Sequence, residues 1–339
     1  MDLSEFDYHL PRHLIAQRPS QPRDSSRLMV LHPNNIEHKI FRKLPEHMNE
    51  GDILVINDSR VIPARLRGKK ETGGKVEVLL VRFKANGAWE CLISGKNIKA
   101  GTNLFFGEKL KGTVIDRIAG GRFEMRFPSE DDLQKTVRDM GEMPTPPYIK
   151  DLLDEPQTYQ TVYAKENGSI AAPTAGLHFT KELMNELNGK GVDIVPITLH
   201  VSIGTFLPVK SQRIEEHAME PEHFKISHDS AERITKAKDD GNRVYAVGTT
   251  SVKALESAIC SNGALVETEG ESDLFIFPGY EFKSGIDGLV TNFHLPKSTL
   301  IMLVAAFAGR ERIMDAYKTA MELSYRFYSF GDCMLIMRG

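Results

Sequence analysis

Cysteine is scarce. Cys91, Cys260 and Cys333 are the only three in 339 residues, they are far apart and they contain no Cys-x-x-Cys. Three scattered thiols disfavour both a disulfide framework and a structural zinc site, so reduced thiols and no metal are expected. Long apolar runs are also missing: the longest, Leu300 to Ala308, falls well short of the ~20 residues of a membrane helix. The opening Met1-Asp2-Leu3-Ser4-Glu5-Phe6-Asp7 is acidic and lacks the apolar core of a signal peptide. A soluble, cytoplasmic protein with no membrane partner is expected. An excess of positive charge is absent as well; with a formal net charge of −3 the chain has no global pull on polyphosphate. A nucleic-acid partner would have to meet a local basic patch.

Several nucleotide and hydrolase signatures fail. Gly189-Lys190-Gly191 is the sole Gly-x-Gly, and its spacing breaks at Ile194, against an ordinary dinucleotide fold. No Gly-x-x-x-x-Gly-Lys-[Ser/Thr] and no Gly-x-Ser-x-Gly occur, which disfavours triphosphate hydrolysis and serine hydrolase chemistry.

What is present is ordinary globular composition, 41% hydrophobic and 26% charged, at a length suited to two domains of ~100–200 residues. Lys75–Arg82, Ala88–Ile93, Leu110–Ile115 and Arg122–Phe127 are short, partly alternating segments punctuated by glycines, as in a small antiparallel barrel or sandwich. Elsewhere strands alternate with helices. Strands are expected at Asp52–Asn57, Asp193–Ile203, Arg243–Val247, Leu274–Phe277, Gly288–Asn292 and near Cys333–Met337. Helices are expected at Lys181–Asn188, Asp229–Lys238, Ser251–Cys260, Thr299–Ala308 and Glu311–Arg326. The fold class is therefore α/β: a layered α/β domain, residues 1–59 plus 149–339, interrupted by an all-β, barrel-like domain at 60–148. The seams are Asp58-Ser59-Arg60 and the proline-rich Met143–Tyr148.

Four apolar segments run directly into Thr, Gly, Asn, His and Ser: Ile170–Thr180, Leu199–Phe206, Val247–Lys253 and Val290–Thr299. In an open α/β sheet the carboxyl ends of strands and the amino ends of helices share a ligand crevice, so these clusters point to one polar pocket, expected between the domains. Helix capping by Thr250-Ser251 and Ser298-Thr299 explains the same residues without a ligand. Of eleven histidines, His178, His200 and His294 lie inside the clusters and are candidate general bases, or hydrogen-bonded core residues. Arg60 to Lys70, with Arg23 and Arg27, form either a phosphate-binding stripe or a solvated edge. Asp24, between Arg23 and Arg27, also fits an ion pair or a turn. Glu215 to Phe224 is rich in Glu and His but has no metal-ligand spacing, and reads as a solvated acidic loop.

Longer strings carry a resemblance. Ile15-Ala16-Gln17-Arg18-Pro19 with Arg23–Met29, Asn57–Arg65, Gly141–Ile149, Tyr159–Ala164, Ala172–Thr180, Thr291–Pro296 and Tyr325–Asp332 resemble, in order, the S-adenosylmethionine:tRNA ribosyltransferase-isomerases of queuosine biosynthesis. The resemblance implies transfer of the ribosyl part of S-adenosylmethionine to 7-aminomethyl-7-deazaguanine at a tRNA wobble position. Rearrangement to an epoxycyclopentane gives epoxyqueuosine, with release of adenine and methionine. S-adenosylmethionine is then a co-substrate, and no separate cofactor is needed. Taken with this resemblance, His178, His200 and His294 become candidate acids or bases, and Asp24 a candidate to orient the amine. Thr174, Gly176, Thr249, Thr250 and Asn292 are candidates for S-adenosylmethionine, and Arg27, Arg60, Arg65 and Arg67 for tRNA. Phe179, Phe293 and Tyr325 are aromatic candidates to face the sulfonium, or core residues. A monomer is expected. A methyltransferase releasing S-adenosylhomocysteine and a non-catalytic RNA-binding protein are the alternatives; the first ordinarily has a glycine-rich first strand-helix turn, which this chain lacks, and near-neutral charge counts against the second.

Overall fold

Ile53-Leu54-Val55-Ile56 is apolar at every position, which only a strand covered on both faces can bury. Ile53 and Val55 pack into one apolar cluster and Leu54 and Ile56 into another, on opposite faces of a nine-stranded sheet. The same alternation divides Val244, Ala246 and Leu289 from Tyr245, Val247 and Val290. Each large side chain so buried contributes about 1.5–3 kcal/mol relative to exposure. The computed structural model describes residues 1–338 except 85, 108, 109, 151–154, 203, 205–208, 210, 261 and 262.

Across the sheet the strands run Thr268–Ser272, Glu222–Ile226, Asp193–Leu199, Ile53–Asn57, Val244–Val247, Gly288–Asn292, Cys333–Met337, Arg27–Leu31 and Ile36–Ile40. The four strands from Asp193–Leu199 to Gly288–Asn292 are mutually parallel, so their carboxyl ends lie along one edge. Cys333–Met337 runs against Gly288–Asn292 and parallel to Arg27–Leu31. Helices Lys181–Gly189, His228–Asp239, Thr249–Ser257, Thr299–Ala308 and Arg310–Glu322 complete this unit. Thr180, Ser227 and Ser298 each cap the helix that follows with a side-chain oxygen, as these residue types favour.

The chain divides into two compact units, Met1–Arg60 with Pro146–Gly339, and Val61–Thr145. The second is a closed six-stranded antiparallel barrel, ordered Phe123–Arg126, Trp89–Ser94, Lys75–Phe83, Arg65–Lys70, Asn103–Phe106 and Leu110–Arg117. Val76, Val78 and Leu80 alternate inward along one strand, and helix Glu130–Met140 buries Leu133 and Val137. Gly112 is fixed by space: a Cβ there would lie 2.7 Å from the Phe127 ring. The expected α/β class with a barrel-like all-β part is what the chain forms.

Three expectations fail locally. Leu274–Phe277 is not a strand; the sheet edge is instead Thr268–Ser272, whose Thr-Glu-Gly-Glu-Ser has no apolar signature because an edge strand needs little. Thr250 and Ser251 do not cap: the helix begins two residues before the expected Ser251, at Thr249, after Gly248. Glu222 is no solvated loop residue; it opens a strand and is 5% exposed. Ile203, Thr205 and Phe206 lie outside the described residues. Among the described residues no helix is long and apolar enough to cross a membrane.

Candidate functional site

At the carboxyl ends of Val244–Val247 and Gly288–Asn292 the α/β unit encloses a cleft with about 650 Å³ of unfilled space, its open mouth included. Every lining residue belongs to this unit, whereas the sequence reading expected a pocket between the domains.

One wall is the start of helix Thr249–Ser257. Gly248 takes φ +87°, a conformation that costs glycine nothing, and offers no side chain to cap the helix. The positive end of the helix, with Gly248, Thr249 and Thr250, therefore faces the cleft. Thr250 Oγ1 is buried and has no partner among the described residues.

The opposite wall is Thr291-Asn292-Phe293-His294. Asn292 Nδ2 donates to the Tyr328 carbonyl at 3.0 Å and to His178 Nε2 at 3.1 Å. The carbonyl fixes the amide's orientation, since a flipped Asn292 would set oxygen against oxygen. His178 then carries its proton on Nδ1, 2.7 Å from Ser26 Oγ. Asn292 Oδ1 is left as a buried acceptor with no donor among the described residues, a group whose desolvation is costly unless something supplies an N–H or O–H. His294 bonds Thr291 Oγ1 at 2.8 Å through Nε2, and its backbone is clamped by the Tyr317 and Tyr8 hydroxyls. Nδ1 of His294 has no partner among the described residues.

Burial pushes His294 down to about 3. His178 also falls to about 3, through burial first and then the positive charges of Arg326 and Arg23. Both rings are neutral near pH 7. Tyr148 and Tyr328 form the third wall with ring centroids 4.8 Å apart; Tyr148 shares a 2.7 Å hydrogen bond with Ser329, and burial raises its hydroxyl to about 12. Among the described lining residues there is no Asp, Glu, Lys or Arg. The cleft is thus neutral, hydrogen-bonding and partly aromatic, suited to a nucleoside and to a cation that needs no counter-charge.

A model of the queuosine biosynthesis protein family matches residues 3–336. The chain belongs to this family. It is 51% identical to the S-adenosylmethionine:tRNA ribosyltransferase-isomerase of Desulfitobacterium hafniense, over 99% of the chain and 100% of the relative. It is 50% identical to that of Clostridioides difficile, with the same coverage. The crystal structure of S-adenosylmethionine tRNA ribosyltransferase from Thermotoga maritima is 40% identical, with a TM-score of 0.58 over 98% of this chain and 100% of that one.

In this family member Thr174, Thr249, Thr250, Asn292 and His294 meet at the cleft. Gly176 does not line it: a Cβ there would lie 2.0 Å from the Tyr163 hydroxyl, so glycine serves packing. His178 stands behind the wall, in contact with Phe41, and positions Asn292. His200 is elsewhere, bonded to Ser59 at 2.7 Å and stacked on His223; burial, then His223, lowers it to about 4. Asp24 faces Arg42.

Among the aromatic candidates, Phe293 is fully buried against Tyr317, Tyr325 and Phe327, Phe179 packs on Phe41, and Tyr325 lies beneath Arg27. The sequence reading passed over Tyr148, Tyr328 and Ser329 as site residues, although they stand in two of the matching strings; Tyr328 holds φ +71°, rare outside glycine. Arg27 bonds the Leu323 carbonyl, Arg60 the Ala164 carbonyl, and Arg65 the Thr145 carbonyl and Glu77. Arg67, paired with Glu142, is exposed on the barrel beside Lys69 and Lys75. Among the described residues no group of His, Cys, Asp and Glu is arranged to hold a metal.

Proposed function

We propose that the neutral cleft of the α/β unit binds S-adenosylmethionine with its reacting ribosyl carbons against His294. The activity is that of the family: the ribosyl group moves to 7-aminomethyl-7-deazaguanine in tRNA and isomerises to the epoxycyclopentane of epoxyqueuosine, releasing adenine and methionine. The observation that carries the site is His294. Of the three strand-end histidines it alone lines the cleft, it is neutral, and Nδ1 is open.

A sulfonium acidifies the C5′ hydrogens beside it. When neutral His294 takes one of them, a cation disappears at sulfur as one appears on the imidazole, so the cleft holds a single positive charge before and after. A base that burial holds near 3 is therefore less handicapped than its empty-site value suggests. The proton on His294 is then available to the departing adenine, which must leave neutral. Asn292 Oδ1, fixed in direction by His178 and Tyr328, accepts an N–H of the adenosine portion. Tyr148 and Tyr328 present ring faces to the sulfonium. S-adenosylmethionine is a co-substrate and no further cofactor takes part. The exposed Arg67, Lys69 and Lys75 of the barrel hold tRNA phosphates.

Incubation of the purified protein with S-adenosylmethionine and tRNA carrying the aminomethyl-deazaguanine, followed by mass spectrometry, tests the reading. Epoxyqueuosine with adenine and methionine is expected. S-adenosylhomocysteine would make the protein a methyltransferase, and intact substrates on a tRNA-binding protein would leave no catalysis.

A further inference from the structure

Beside the cleft, and sharing Thr249, Thr250 and Leu300 with it, lies a second recess with about 400 Å³ of unfilled space, its open mouth included. The first has no charged side chain among its described lining residues; the second contains a complete ion pair. Lys253 Nζ stands 3.0 Å from Glu222 Oε2, the two side chains 7% and 5% exposed, and Glu222 Oε1 accepts the Ser202 amide at 2.9 Å. Lys253 sits one helical turn beyond Thr249, on the same face, so the threonines line both voids and the ammonium lines the second. Apart from Thr299, the rest of the described wall is apolar, including Met219, Ile276 and Leu303.

Burying two charges costs several kcal/mol per ion, and apolar residues of similar size usually serve stability as well or better. A buried pair against an open void asks for another explanation. One chemistry matches a fixed ammonium and a fixed carboxylate side by side with apolar walls: an α-amino acid zwitterion on a short aliphatic chain. We propose that this void is the subsite for the amino-acid end of the co-substrate, with Lys253 meeting the α-carboxylate and Glu222 the α-ammonium. The apolar walls take the chain leading back to sulfur. The inference rests on the proposed reading of the cleft. It adds how the enzyme would tell S-adenosylmethionine from sulfonium nucleosides that lack an amino-acid terminus, and where methionine is held as it leaves.

The test is equilibrium binding of S-adenosylmethionine and of its decarboxylated analogue, which keeps sulfonium, adenosine and ammonium, with unmodified tRNA present so that nothing turns over. Wild-type protein is expected to bind the decarboxylated compound ~10–10² more weakly, the scale of a lost charged hydrogen bond. Lys253→Met should weaken S-adenosylmethionine by about the same factor and leave the analogue nearly unchanged. Equal affinity of wild type for the two ligands, or Lys253→Met lowering both alike, would overturn the proposal. Should Lys253→Met not fold, methionine and methioninol as competitors on wild type decide: methionine is expected to compete ~10-fold or more better, and equal competition overturns it. Because no turnover is read, failure here is distinct from failure of the reaction assignment, which product analysis alone decides.

Discussion

Acid should weaken this fold through two particular histidines. His178 and His294 are buried and neutral, each lowered from 6.5 to about 3. Between those values the unfolded chain binds protons that the folded chain refuses, so stability is complete above pH 6.5 and is lost as pH falls toward 3. By pH 5 the cost is roughly 2 kcal/mol for each ring, about 4 kcal/mol for both, a large part of the ~5–15 kcal/mol of an ordinary domain. Glutamine imitates a neutral imidazole: at 178 its carbonyl accepts from Asn292 and its amide donates to Ser26. Urea unfolding at pH 8 and pH 5 should therefore show His178→Gln losing about 2 kcal/mol less than wild type, and the double variant with His294→Gln about 4 kcal/mol less. Other titrating groups are common to all variants and cancel. Two probes separate the units: Trp89, the sole tryptophan, reports the barrel, while every described α-helix except Glu130–Met140 lies in the α/β unit and dominates far-ultraviolet circular dichroism. Parallel losses for wild type and double variant between pH 8 and pH 5 would refute the reasoning.

Gly176→Ala should destabilise the α/β unit by about 1–3 kcal/mol, because its Cβ would lie 2.0 Å from the buried Tyr163 hydroxyl, and should leave the KM for S-adenosylmethionine unchanged; thermal melts and steady-state kinetics check both. Lys69→Ala with Lys75→Ala should raise the KM for tRNA but not for S-adenosylmethionine. The slope of log affinity against log salt should flatten by ~0.7–0.9 per lost phosphate contact, measured by filter binding, and an unchanged slope would remove these lysines from the interface.

The parts of the fold legible in the sequence were those where burial writes itself into composition. Ile53–Asn57 and Gly288–Asn292 stand out as strands because both faces of a parallel sheet must be apolar. Thr268–Ser272 did not, being a polar edge, and Arg65–Lys70 read as a basic stripe because alternate residues of a barrel strand face water. The site divides in the same way. Threonine, asparagine and histidine following apolar runs marked the strand ends, and the sheet brings Thr249, Thr250, Asn292 and His294 to one cleft. Tyr148 and Tyr328 come from segments outside the strands, so no local periodicity announces where they will stand. Nor does sequence separate His294, open to the cleft, from His178, whose two nitrogens are spent on Ser26 and Asn292. Glu222 and Lys253 are 31 residues apart; only the packing of the strand against the helix makes them a pair.

The most direct measurement is the single-turnover rate of His294→Ala beside wild type, with S-adenosylmethionine affinity measured on the same preparations. A rate lower by ~10²–10⁴, the worth of a general base, is expected, with affinity within a few-fold of wild type. A near-normal rate in His294→Ala would contradict it.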